Sequence, residues 1–170
     1  MSHAATKQSL AQQLEPPRFE NGRALLIAGL RNRYTAETMN AIPLQWQRFA
    51  PQLGKIAGQI GRTTYGMCWQ ARDGAGIEYL SGVEVFGFSG LPTEFTVASI
   101  PAQRYAVFPH RGHVSQIYET CEAISKWFPE SGYQCAGGGA DGPDFFERYT
   151  EEFDPRSGMG GMEVWVPVKS

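Results

Sequence analysis

The sequence predicts an α+β domain made of two β-α-β-β units related by a pseudo-twofold axis, with one antiparallel sheet, two main helices and a central groove. Three observations lead there. Segments of strand period and helix period alternate in one order along the chain and then repeat it. The two helical segments end alike, in Trp46-Gln47-Arg48-Phe49-Ala50-Pro51 and in Trp127-Phe128-Pro129. Each follows a basic loop, Arg31-Asn32-Arg33 in the first case and His110-Arg111-Gly112 in the second.

Residues 1–17 are polar and end at Pro16-Pro17, which predicts a flexible N-terminal arm. The domain proper is expected over 18–170, with half-repeats of about 18–90 and 91–170. Residues 19–30 read as the first strand, and Ala24-Leu25-Leu26-Ile27-Ala28 is apolar on both faces, as a central strand would be. Ile42, Trp46, Phe49 and Leu53 recur at helical spacing over 36–53, with Pro43 either kinking this helix or opening a new one at its first turn. Residues 63–70 form a strand with Tyr65, Met67 and Trp69 on one face, and Gly74 and Gly76 turn it into a hairpin partner over 77–86.

The second unit starts with strand material over 95–108, interrupted at Pro101. Val114, Ile117, Tyr118, Cys121, Ile124 and Phe128 make the apolar stripe of a helix over 113–128. Gly112, at its entry, is expected to matter if its backbone needs a positive φ. Strands over 145–149 and 162–168 complete the unit.

At 170 residues, 42% of them hydrophobic, the chain can bury a core without staples. A net charge of −2 provides no basic field for nucleic acid or anionic lipid. Cys68, Cys121 and Cys135 form no CxxC pair, so neither a disulfide framework nor a zinc site is indicated, and no cofactor is expected. There is no signal-peptide core, and the longest apolar run, 24–30, is too short to span a bilayer, so a cytoplasmic protein is expected.

The candidate site comes from two strands. In Phe145-Phe146-Glu147-Arg148-Tyr149, alternation puts Phe145, Glu147 and Tyr149 on one face. In Met162-Glu163-Val164-Trp165-Val166-Pro167-Val168, Glu163 shares a face with Trp165. A carboxylate walled by rings suits a flat hydrophobic cation, the rings supplying π-faces and the carboxylate charge. With Tyr65, Met67, Trp69 and Tyr105, these residues are expected to line one groove, with Glu147 as the leading charge and Glu163 second. Two other functions compete. The same carboxylate could serve as general base in a simple hydrolysis, assisted by Tyr149 or Tyr105. A wide exposed aromatic groove would instead suit a protein partner.

Other motifs read as structure. His110 and His113 lack further ligands for a metal, Cys68 and Cys121 lack a local base, and Gly137-Gly138-Gly139-Ala140-Asp141-Gly142 lacks the Lys-Ser/Thr of a phosphate loop.

The stretches Tyr65-Gly66-Met67-Cys68-Trp69, residues 100–108, Trp127-Phe128-Pro129, residues 145–149 and residues 163–168 together resemble the GyrI-like small-molecule-binding domain, the effector-binding domain of AraC-type and MerR-type multidrug regulators. The resemblance runs from about Phe19 to Lys169. It implies a pocket at the pseudo-twofold axis for bulky, often cationic aromatic compounds, read by a glutamate among aromatics. The family's Glu two residues before a Tyr falls on Glu147 and Tyr149, and its Glu-apolar-aromatic-apolar-Pro on Glu163, Trp165 and Pro167. Stand-alone members that sequester drugs, protect gyrase or hydrolyse cyclopropane-bearing compounds are the implied alternatives. About seventeen polar residues before the first strand are too few for a helix-turn-helix, so direct DNA binding is not expected, and a separate DNA-binding or enzyme partner is the alternative.

Overall fold

A computed structural model describes residues 14–71, 73–137 and 142–169. Eight strands form one antiparallel sheet: β1 (Arg18–Gly22), β2 (Leu25–Tyr34), β3 (Gln59–Gln70), β4 (Ile77–Val85), β5 (Thr96–Ile100), β6 (Gln103–His110), β7 (Phe145–Tyr149) and β8 (Met162–Pro167). Helix α1 (Ile42–Phe49) joins β2 to β3, and α2 (Ile117–Ser131) joins β6 to β7. Short 3₁₀ turns flank α1 on both sides and precede α2.

The strand order is β1-β6-β8-β7-β3-β4-β2-β5. It reads the same from both ends when β1 is exchanged with β5, β2 with β6, β3 with β7 and β4 with β8. The pseudo-twofold therefore passes between β3 and β7, where Gly66 faces Glu147 and Met67 faces Phe146.

Sequence periodicity placed one strand over 19–30 and one over 95–108. Each is two strands, and the two pair with opposite halves: β1 lies on β6, and β5 lies on β2. Arg23-Ala24 joins β1 to β2 although these lie six strand positions apart in the sheet. Flat, that would be roughly 29 Å, whereas two linking residues reach at most about 11 Å. The sheet must therefore curl on itself. Its inner face closes over a core drawn from seven strands, including Ile27, Met67, Leu80, Val107, Phe146 and Trp165. The helices cover the outer face, α1 over Ala28, Leu30, Val83 and Val85, and α2 over Ala106, Phe108, Val164 and Val166.

Pro43 sits in the first turn of α1, where its missing N–H costs nothing, and starts a fresh helix. The helix is bolted down by the buried Gln45. Its Nε2 donates to Leu30 O, Ser81 Oγ and Tyr79 O at 2.8, 3.0 and 3.2 Å, while its Oε1 accepts from Tyr34 Oη at 2.6 Å and Asn32 Nδ2 at 3.1 Å. Helix α2 runs on through Pro129 and stops at Gly132, whose φ of 80° is the left-handed cap glycine favours.

Gly112 has no positive φ, so the expected conformational need is absent. A Cβ there would meet Gln116 Oε1 at 3.3 Å and the His110 ring at 3.5 Å, contacts a side-chain end can relieve. Gly112→Val should accordingly cost less than about 1 kcal/mol, as a melting curve would read. At the N-terminus, residues 1–13 of the expected arm lie outside the described residues. Leu14 packs against the α2 cluster, and Glu15 pairs with Arg111 at 2.6 Å.

Candidate functional site

Strand alternation divides the expected site residues between two faces. Phe145, Glu147 and Tyr149 of β7 point outward, toward the helices, whereas Tyr65, Met67, Tyr105 and Trp165 belong to the inner core, with Trp69 packed against it. Glu163 shares the inner face with Trp165. The residues expected to share one groove thus fall on two faces of the sheet, because a strand's side chains alternate and β7 and β8 carry their glutamates on opposite faces.

On the outer face, Glu147 is buried. Tyr79 Oη donates to its Oε1 at 2.6 Å, and Tyr149 Oη donates to the same oxygen at 2.9 Å. Trp46 Nε1 of α1 donates in turn to Tyr79 Oη at 3.0 Å. The Trp46 ring stands edge-on to Tyr149 at 5.5 Å and to Tyr79 at 6.4 Å, closing the carboxylate beneath it. The Gln45 bolt, one residue earlier, fixes that ring's place. No Lys, Arg or His among the described residues pairs with Glu147.

The electrostatics follow from that isolation. Burial raises the Glu147 carboxyl above its ordinary range, and the bonds from Tyr79 and Tyr149 only partly oppose the rise. Burial and the adjacent Glu147 charge push both tyrosine hydroxyls well up, so they remain donors. Burial likewise raises the Cys68 and Cys121 thiols, which keeps them from acting as thiolates.

Glu163 stands in the opposite condition. Burial would raise its carboxyl, but the bond from Arg18 at 2.5 Å, the indole N–H of Trp165 at 3.3 Å and Arg148 at 3.2 Å outweigh this and hold it low. It is a compensated ion-pair centre.

Sequence reasoning missed Tyr79 and assigned Trp46 to core packing. The signal for Tyr79 lay in register: it pairs with Cys68, beside Gly66, which faces Glu147. His110 and His113 brace the entry to α2 through Thr120 Oγ1, the His113 carbonyl and Ser115. Among the described residues there is no cluster of three or more potential metal ligands, and no helix is long and apolar enough to cross a membrane.

Residues 15–169 match the GyrI-like small molecule binding domain. The transcriptional regulator BrlR of Pseudomonas aeruginosa is 33% identical over 125 residues, which cover 72% of this chain and 44% of the regulator; the chain thus spans less than half of that relative's length. Among solved structures, SAV2435 bound to tetraphenylphosphonium superposes with a TM-score of 0.71 at 21% identity, covering 92% of this chain and 95% of the other. A putative transcription regulation protein from Staphylococcus aureus MU50 gives 0.67 at 21% identity, covering 92% and 99%.

Proposed function

The chain belongs to the GyrI-like small-molecule-binding domain family, and on that premise we propose that it captures bulky hydrophobic cations of aromatic character at Glu147. The observation that carries this reading is a buried carboxylate with two neutral tyrosine donors and no positive partner among the described residues. Burying such a charge is costly, and an incoming cation relieves the cost, which is how the site selects for positive charge. Tyr79, Tyr149 and Trp46 supply the aromatic wall. Phe145, packed between the two helical clusters, extends it. The likeness to a protein bound to tetraphenylphosphonium supports the choice of ligand class.

In this reading Trp46 must swing aside, since its ring covers the carboxylate. Titration with tetraphenylphosphonium, followed by quenching of tryptophan fluorescence, is the direct test. Saturable binding is expected, with tetraphenylborate, of the same shape and opposite charge, binding far more weakly. Equal affinity for the two ions would overturn the charge-reading role. The Glu163 and Trp165 group is assigned no part in this capture. Any DNA-binding or enzyme partner is proposed to act on the liganded domain from outside this site.

A further inference from the structure

The inner face carries a cavity of its own. It has a volume of about 260 Å³ and opens between the β1–β2 turn and the side chains of Tyr65, Tyr105, Phe146, Arg148 and Trp165. Glu147 does not reach it. Arg148, which neighbours Glu147 in sequence, points to the opposite face and pairs across the strands with Tyr65. We propose that this cavity is a second ligand site, separate from the cation groove, and that it takes a single-ring aromatic carboxylate.

Size sets the first limit. Pockets for drug-sized ligands run to roughly 300–1,000 Å³, so this one has room for a ring and a substituent. Shape sets the second. Trp165 and Phe146 lie stacked at 5.5 Å with their planes 17° apart, and Tyr105 stands edge-on to both at 5.2 and 5.3 Å. These rings are buried and packed on one another, so a planar guest meets the rim of the cluster, chiefly Trp165 and Tyr65, rather than an open face.

Chemistry sets the third. The carboxylates near the cavity are already engaged. Glu84 is held by both Nη atoms of Arg23, Glu20 by Arg18 Nε at 2.7 Å, and Glu163 by Arg18 and Arg148. A cationic guest would therefore find no free anion. Arg148 is different: its guanidinium lies 5.6 Å from the Trp165 ring centre, bonds Glu163 through Nη1 at 3.2 Å and meets the Tyr65 hydroxyl. Its side chain is 31% exposed, and its donors lie in the planar fork that matches a carboxylate. The three arginines and three glutamates cancel in charge, so recognition rests on that fork rather than on a positive field. The nearby Glu163 carboxylate opposes an anion, which is why a single-charged monocarboxylate, and not a phosphate, is the class assigned.

Calorimetric titration of the full chain with benzoate, benzamide and benzylammonium tests the assignment. Benzoate should bind at least about tenfold more tightly than benzylammonium, with benzamide between. Arg148→Lys keeps the charge beside Glu163 but removes the fork, and should weaken benzoate by about tenfold or more. The same variant should keep its near-ultraviolet dichroism and its response to tetraphenylphosphonium. Glu147→Gln should leave benzoate affinity unchanged. Failure of tetraphenylphosphonium to bind would count against the cation groove alone, since the benzoate result stands without it. The second site is overturned by no benzoate binding, by a preference for benzylammonium, by an unaltered affinity in Arg148→Lys, or by loss of benzoate in Glu147→Gln.

Discussion

Glu147→Gln is expected to weaken capture of tetraphenylphosphonium by about 1–3 kcal/mol, roughly five- to 150-fold, while making the free protein more stable at neutral pH. The two effects have one cause. Burial holds the Glu147 carboxyl above its ordinary range, so the folded chain keeps that proton to higher pH than the unfolded chain does. The wild type therefore loses stability as pH rises from the unfolded carboxyl range through the raised folded value. Glutamine still accepts from Tyr79 and Tyr149 but carries no such penalty. Melting midpoints of the two proteins should converge in acid and separate, with the variant higher, as pH climbs through that window. Cation affinity of the wild type should fall as pH drops through the same window, because protonation removes the charge being read. Glu163→Gln should leave cation affinity nearly unchanged, since its carboxylate serves Arg18 and Arg148 on the other face. Identical affinities for Glu147→Gln and wild type would remove Glu147 from the site.

Gly66→Ala should damage stability and capture together. A Cβ at Gly66 would stand 2.0 Å from Tyr79 Oη and 2.6 Å from Glu147 Oε1. No rotation of the new methyl avoids this, so the hydrogen bond between the two must break or β3 and β7 must part. Overpacking of this kind costs about 1–3 kcal/mol, and the orphaned carboxylate adds to it. Denaturant melts would read the first effect and tetraphenylphosphonium titration the second. A variant with wild-type stability would show that Tyr79 has another place to go, and its affinity would then report the worth of the Tyr79 bond alone.

Much of this was legible in the sequence. The repeated element order, a break at Pro43 and the shared face of Phe145, Glu147 and Tyr149 follow from periodicity and turn chemistry, which are local. The exchange of β1 and β5 between halves was not, because strand partners depend on the whole chain. No local rule sends residues 18–22 to the far edge. The same gap hid the division of the site. Alternation fixed which residues of β7 and of β8 share a face within each strand, whereas only the pairing of Arg148 with Glu163 and of Phe146 with Trp165 sets those faces relative to each other.

The crossed lead strands also bear on how such a chain arises and folds. A single β-α-β-β unit with its lead strand would have that strand pointing away from its own sheet, toward an edge that only another copy supplies. Alone, it could complete its sheet only by exchanging that strand with a second copy. Joining two copies in tandem turns that intermolecular exchange into an intramolecular one. The price is topological: neither half can finish folding before the other, so the fused domain has long-range strand pairing at both edges and folds slowly, as one cooperative unit.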